Sequence, residues 1–466
     1  MESLVRPCRL TVRRGVPVLV SPAAHTPRET KPLSDIDDAE GMRFYSSAIH
    51  LYRAAADSSS SKQLGVDPAR VIREALARAL VPYYPLAGRL REEAGRKLVV
   101  DCEAQGVLFV DADADITAAE LGDVRCPPFP CFEQFILGST TNATGSEPVI
   151  NRPLIYMQVT RLQCGGFILG QRVCHCVADA PGAMQFEKVI CELARGATVP
   201  KLLVVPAWGR ELFMARQPPQ PTYPHLEYSE PAGGPAEDRM LMTQASSDMM
   251  MMPRRFFFGP CEIAELRQRA PPHMRGRCSQ FELVAAYIWL GRTAALGYGA
   301  GDEVRLSFTV NARGRAGVPL PEGFYGNAFA HSVAATTAGE LCAGGLGHAL
   351  ELVKKAKSGL TYDYLLSVAD LMVLRGRPLF TLLRTFIVSD VRHVGFNTLD
   401  FGWGEPIFAG PAKCGEGPFP GVTAYFTMTK TAKGEEGIAV PICLPEDAME
   451  KFQLHMEALT EAAKII

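Results

Sequence analysis

The sequence lacks several things at once. No stretch approaches the ~18 consecutive apolar residues that a membrane-spanning helix needs, and Met1 to Arg14 is basic without the apolar run of a signal peptide. It has little excess charge of one sign: 48 basic and 50 acidic residues leave a formal net charge of −2, which argues against nucleic acid or an anionic membrane as a bulk partner. Together these absences predict a soluble, cytoplasmic protein. No CxxC pair is present. The 13 cysteines run from Cys8 to Cys443 in an odd number and without repeated spacing, which predicts reduced thiols. The Cys174-His175-Cys176 triplet has no second ligand pair, so no metal is expected. A P-loop, a GxGxxG opening a helix after a strand and a GxSxG elbow are missing too, which argues against a nucleotide cradle and an esterase nucleophile.

What is present reads as an ordinary globular chain. The 466 residues suffice for two or three domains, with 47% hydrophobic and 21% charged residues. Asp67-Pro68 opens a helix that stops near Tyr83-Tyr84-Pro85. Lys97 to Asp101 and Gly106 to Asp111 read as short strands. Pro153 to Leu162 alternates as a strand, Gly165-Gly166 turns, and Phe167 to Cys174 returns. Pro181 then marks the first turn of a helix through Leu193. Residues 207–253 are rich in proline and end in the run Met249 to Met252, which predicts a crossover linker with the methionines entering a second core. The second half restarts with a strand at Phe256 to Phe258. Ser279-Gln280-Phe281-Glu282 has the form of a capping box before a helix to Ala295. Val304 to Asn311 is a strand, Phe419 to Thr431 with Gly437 to Leu444 a hairpin, and Pro445-Glu446 opens a terminal helix. The class is α/β with mixed sheets. The expected domains are 1–206 and 254–466.

Two strings carry chemistry. His175 precedes Asp179 by four residues, where a strand hands over to a helix. A histidine there can serve as a base near neutral pH, which an attacking alcohol requires. Taken alone, the string equally describes a satisfied histidine buried at a strand end. Asp179, at a helix start, reads as structural support, with Arg313 as its expected partner. Farther on, Asp400-Phe401-Gly402-Trp403-Gly404 spaces glycines for a sharp turn or close approach, anchored by Phe401 and Trp403. Asp400 is expected to orient that segment, and Trp403 has an indole N–H to offer.

Those strings, with Tyr84-Pro85-Leu86-Ala87-Gly88-Arg89, Asn311-Ala312-Arg313 and Tyr325-Gly326-Asn327 in order between and before them, resemble the plant BAHD acyl-CoA-dependent acyltransferases along essentially the whole chain. Leu33 to Asp38 and Pro411-Ala412-Lys413 look like the branch with benzyl alcohol benzoyltransferases and green-leaf alcohol acetyltransferases, and the grass enzymes that put p-coumarate on monolignols are similar too.

The resemblance implies two chloramphenicol-acetyltransferase-like domains with a channel at their interface. It makes His175 the general base, with Asp179 and Asp400 matching the other two signature carboxylates, both structural. Arg313, Asn327, Gly402 and Gly404 are support positions. Acyl-CoA is implied as co-substrate with no permanently bound cofactor, an alcohol as acceptor, and a monomer as the working form. Arg275, Arg277 and Ser279, just before a helix, are candidates for the CoA phosphates, and Trp403 for the oxyanion. Cys176 stands where many members carry Thr, Met or Ser, which bears on the channel wall. The expected reaction is transfer of an aromatic acyl group, p-coumaroyl or benzoyl, to a primary alcohol. The alternatives are acetyl transfer giving volatile esters, a thioesterase, and a non-catalytic binding protein of the same fold.

Overall fold

The computed structural model describes residues 10–54, 65–122, 124, 127–138, 148–197, 204–231, 251–413, 421–431 and 434–464. Its first half holds strands β1 (Val12–Arg14), β2 (Val18–Val20), β3 (Thr30–Pro32), β4 (Tyr45–Tyr52), β5 (Arg89–Glu92), β6 (Leu98–Asp101), β7 (Val107–Ala114), β8 (Ile155–Arg161) and β9 (Phe167–Cys174), with helices α1 (Pro68–Ala79) and α2 (Ala180–Ala194). The second half holds β10 (Met251–Phe258), α3 (Pro260–Arg269), α4 (Gln280–Leu296), β11 (Glu303–Asn311), β12 (Phe329–Thr337), α5 (Ala338–Ser358), α6 (Tyr362–Leu374), β13 (Thr385–Asp390), β14 (Phe408–Pro411), β15 (Thr423–Lys430), β16 (Glu436–Pro445) and α7 (Glu446–Ala463). The class is mixed α/β.

Local chemistry explains the boundaries. Asp67 caps α1 by accepting from the Ala69 amide, and Pro68 sits at the first helical position. Asp179 does the same for α2 through Gly182. Ser279 and Glu282 form the reciprocal box that starts α4. Gly165, at φ +80°, makes the β8–β9 turn.

The first sheet runs β1-β7-β8-β9-β4-β14, with β2 also on β7. Its last strand arrives from far down the chain: Phe408 to Pro411 pairs antiparallel with Leu51 to Ala48. The second sheet runs β10-β16-β15-β13-β11-β12, with β13 parallel to both neighbours. A small sheet, β3-β6-β5, flanks the first. The Met-rich run enters the second sheet as expected where it is described, with Met251 opposite Pro445 and Met252 opposite Leu444; Met249 and Met250 lie outside the described residues, as does Phe419 of the expected hairpin.

Residues 207–231 are packed, although their sequence shows no period. Arg210 and Phe213 are fully buried, and Arg216 pairs with the buried Asp370 at 2.7 Å. Irregular backbone of this kind is fixed by specific side-chain anchors, which periodicity cannot report. One continuous apolar core runs through both halves.

Candidate active site

Residues 171, 173 and 175 share a face because side chains alternate along an extended strand, and Gln171, Val173 and His175 all line a cavity of about 1220 Å³. The facing wall belongs to the second sheet. Register sets Asn311 opposite Phe329 and Thr309 opposite His331, and all four line the same cavity. Ser389 of β13 joins them, its hydroxyl 3.1 Å from that of Thr309. The chamber therefore takes one wall from each half of the chain.

His175 is half-buried, with its ring centroid 4.9 Å from that of Phe44 and 5.9 Å from that of Phe329. Its amide donates to the Phe44 carbonyl at 2.8 Å, and its carbonyl accepts from Asn327 Nδ2 at 2.8 Å, so the backbone is held on both sides. Nδ1 is sealed inside the protein, which leaves Nε2 as the nitrogen facing the chamber. Burial dominates the imidazole's titration and lowers its pKa from the ordinary 6.5; the Asp179 charge and the Asn327 side chain oppose that shift without reversing it. The ring is thus neutral at pH 7, the form a base must have.

Asp179 is occupied elsewhere. Arg313 donates to it twice, at 2.6 and 2.9 Å, the Ala328 amide at 3.0 Å and the Gly182 amide at 2.9 Å. Arg313 also donates to the Gly326 carbonyl at 2.7 Å. No hydrogen bond joins Asp179 to His175. The carboxylate instead fastens α2 and the loop after His175 to the Tyr325-Gly326-Asn327 segment. A Cβ at Gly182 would lie 2.0 Å from the Tyr325 carbonyl oxygen, so that approach requires glycine.

The string Leu33 to Asp38 supplies a set of residues that sequence reading left without a mechanism. Asp37, fully buried, accepts from the Asn327 amide at 3.1 Å and from its Nδ2 at 2.8 Å, and pairs with Arg210 at 3.1 Å. Arg210 donates in turn to the Val177 carbonyl at 2.7 Å. Asp35 and Asp38 both bind Arg377 and Lys97. The loop around His175 is therefore tied down from two distant segments. Phe44, Phe329 and His331 were also missed; the alternation Asn327, Phe329, His331 is the signal that marks the last two.

Asp400 lies away from the chamber. Its Oδ1 accepts from the amides of Gly402 and Gly404 at 2.7 and 2.8 Å, and those glycines sit at φ +109° and +84°. Phe401 packs edge-on to Tyr52, and Trp403 edge-on to Phe167 at 5.2 Å. Residues 400–404 do not line the cavity. The oxyanion role expected for Trp403 is corrected accordingly: its indole is core packing behind the first sheet.

Arg275, Arg277 and Ser279 do not line the chamber either. Both arginines are exposed, and Ser279 caps α4. The wall beside them carries Phe281 and Lys357, whose Nζ is 2.8 Å from Glu282 and 3.3 Å from Ser279 Oγ. Cys176 is fully buried with its thiol against the Met42 carbonyl, so it does not form channel wall as its place in the sequence suggested. Cys131 is disulfide-bonded while nine other described cysteines are free, which corrects the expectation of wholly reduced thiols: count and spacing do not report proximity in space.

Comparison with known proteins shows the family and the fold. Residues 11–459 match the model of a family described as the Transferase family. The chain is 51% identical to benzyl alcohol O-benzoyltransferase of Petunia hybrida over 449 residues, 96% of this chain and 94% of that one. It is 46% identical to alcohol acyl transferase 2 of Malus domestica over 457 residues, 98% and 95% of the two chains. Among solved structures it resembles vinorine synthase, with a TM-score of 0.69 at 22% identity over 96% of this chain and 98% of that one. TRI101 of F. sporotrichioides, complexed with coenzyme A and T-2, gives a TM-score of 0.69 at 16% identity over 91% and 97%.

Proposed function

The chain belongs to the Transferase family, the BAHD acyl-CoA-dependent acyltransferases, and from that premise we propose that it passes an aromatic acyl group, p-coumaroyl or benzoyl, from coenzyme A to a primary alcohol such as benzyl alcohol or a monolignol. The observation that carries this reading is a neutral histidine with Nε2 facing a chamber walled by both sheets. The 51% identity to a benzyl alcohol benzoyltransferase favours the aromatic donor.

In the proposed reaction the acceptor hydroxyl donates to His175 Nε2. The imidazole takes its proton as the oxygen attacks the thioester carbon, and a tetrahedral oxyanion forms. Collapse breaks the carbon–sulfur bond, and the leaving thiolate recovers the proton from the imidazolium. General-base assistance of this kind is worth ~10²–10⁴ in rate. An oxyanion needs a hydrogen-bond donor, and the hydroxyls of Thr309 and Ser389 are on the wall facing His175. Asp179 and Asp400 act as support. Arg275 and Arg277, exposed before α4, remain our candidates for the CoA phosphates, with Lys357 beside them on the wall.

We place the protein in the cytoplasm as a monomer without nucleic-acid partners; among the described residues no helix is long and apolar enough to cross a membrane, and both chamber walls come from one chain. We take 1–206 and 254–466 as its two domains, joined by 207–253. Acetyl transfer is the second reading, since the 46% identity to alcohol acyl transferase 2 leaves the acyl group open.

The test is to incubate the purified protein with p-coumaroyl-, benzoyl- and acetyl-CoA, each with benzyl or coniferyl alcohol, following thiol release and ester mass. An aromatic ester is expected. Acetyl ester alone moves the enzyme to volatile-ester chemistry, thiol without ester makes water the acceptor, and no turnover with any pair leaves a binding protein.

A further inference from the structure

The chamber holds a second histidine that the reaction above does not use. His331 is 8% exposed and lines the cavity from β12, two residues beyond the Phe329 that packs on His175. Its ring lies between Phe329 at 5.8 Å and Phe380 at 5.4 Å. Nδ1 is 3.2 Å from Ser307 Oγ, a bond that fixes the ring plane. Burial lowers its pKa to about 4, so the imidazole is neutral through the physiological range. Nε2 has no hydrogen-bond partner among the described residues, and it is not one of the nitrogens sealed inside the protein. The neighbouring wall carries Phe308, Phe329, Phe380 and Ile387, and the Thr309 hydroxyl opposite His331 is already paired with Ser389. A polar nitrogen in such a wall is costly unless something bonds to it.

We propose that His331 Nε2, oriented by Ser307, is a hydrogen-bond site for a hydroxyl group on the substrate remote from the reacting atoms, and that it sets a preference for hydroxylated over plain aryl substrates. The proposal rests on the acyl-transfer reading and adds a specificity residue to it. A hydroxyl is the matching group because it both donates and accepts. If Ser307 donates to Nδ1, Nε2 carries the proton and gives it to the hydroxyl oxygen; if Nδ1 donates to Ser307, Nε2 accepts instead. Two sources carry such a hydroxyl: the phenol of a hydroxycinnamoyl donor, or a ring hydroxyl of the acceptor. His175 stays the base in either case.

The experiment compares kcat/KM for matched pairs that differ by one hydroxyl: p-coumaroyl-CoA against cinnamoyl-CoA with benzyl alcohol, and 4-hydroxybenzyl alcohol against benzyl alcohol with benzoyl-CoA. The wild type is expected to favour the hydroxylated member of one pair by about tenfold or more, since a site built to bond a hydroxyl rejects the analogue that lacks it. The pair that shows the preference identifies the source. In His331→Phe, which keeps the bulk and removes the nitrogen, that preference should collapse to within about twofold. Ser307→Ala, which frees the ring without removing it, should reduce the preference by a smaller factor. Should His331→Phe fail to fold, the wild-type ratios and Ser307→Ala decide. Turnover of every pair with no preference for a hydroxyl in either arm would overturn the proposal and leave the transferase reading standing. So would a preference that survives His331→Phe. Absence of turnover with all pairs would sink both.

Discussion

Arg313 reaches from the second half of the chain to hold Asp179 of the first with both guanidinium arms, at 2.6 and 2.9 Å. The carboxylate is 5% exposed as a side chain and the arginine 23%, so water screens the pair little. Removing one partner of such a pair costs about 3–5 kcal/mol because the other charge stays buried. Arg313→Ala and Asp179→Asn should therefore each lower the unfolding midpoint, the asparagine because its one oxygen can serve only one of the Gly182 and Ala328 amides, which bond to different oxygens of Asp179. The double variant should lose less than the sum of the singles. Denaturant unfolding of the four proteins measures this, and strictly additive losses would show that the pair is not coupled.

His175→Ala should reduce kcat by ~10²–10⁴ with little change in the unfolding midpoint, because the segment is held by backbone bonds to Phe44 and Asn327 that the substitution leaves in place. Turnover measured beside thermal melting separates the two effects. Full activity in the variant would remove the general base from the mechanism.

The same residue sets a pH dependence. A base works when unprotonated, and burial lowers the pKa of His175 from 6.5. As pH falls, kcat/KM should hold its plateau past 6.5 and drop only below it. An acid limb centred at or above 6.5 in the wild type, absent from a slower His175 variant, would contradict the neutral, desolvated imidazole.

Much of this site was legible in the sequence, for physical reasons. His175 could be placed at a strand's end because Phe167 to Cys174 follows a Gly-Gly turn and precedes a helix marked by Pro181. Arg313 could be named as the partner of Asp179 from the string Val310-Asn311-Ala312-Arg313-Gly314, although a helix start already favours a carboxylate and calls for no cation. What stayed hidden depends on contacts between distant segments. The bond from Asn327 to Asp37 spans 290 positions and follows no local period. Trp403 was assigned to the chamber because an indole can donate, but its place behind the first sheet is set by β14 pairing with β4, a long-range strand addition. Residues 207–253 read only as a crossover linker, because the order of 207–231 comes from individual anchors such as Arg216 on Asp370.

Asp400 offers a test of support against chemistry. Its Oδ1 takes two backbone N–H groups of a turn whose glycines have positive φ, so Asp400→Ala leaves both donors without their acceptor. The expected cost is about 1–3 kcal/mol of stability, with activity per folded molecule nearly unchanged. Asp400→Asn keeps an oxygen at the same place and should recover most of the loss. Melting curves and turnover per folded enzyme check both. A large fall in kcat for fully folded Asp400→Asn would give this carboxylate a role in the reaction.

Glu187 and His50 lie 3.8 Å apart, both buried, and distance alone suggests an ion pair. Burial argues otherwise: it lowers His50 to about 3 and raises Glu187 to about 8, so at pH 7 the pair is neutral and Glu187 keeps its proton. Gln171 donates to the other carboxyl oxygen at 2.6 Å. The stability signs follow from linkage. Glu187 ionises near 4.5 in the unfolded chain, so its contribution is complete below that pH and is lost as pH rises toward 8. His50 runs the other way, complete above 6.5 and lost as pH falls toward 3. Glu187→Gln, neutral at every pH, removes the first loss and leaves the second. Its stability relative to wild type should therefore climb steadily between pH 5 and pH 8, by up to about 1.4 kcal/mol per pH unit at the steepest. Chemical unfolding of both proteins at pH 5, 6.5 and 8 measures the difference. Parallel profiles would mean that Glu187 is ionised beside a neutral His50, with no proton held between the two residues.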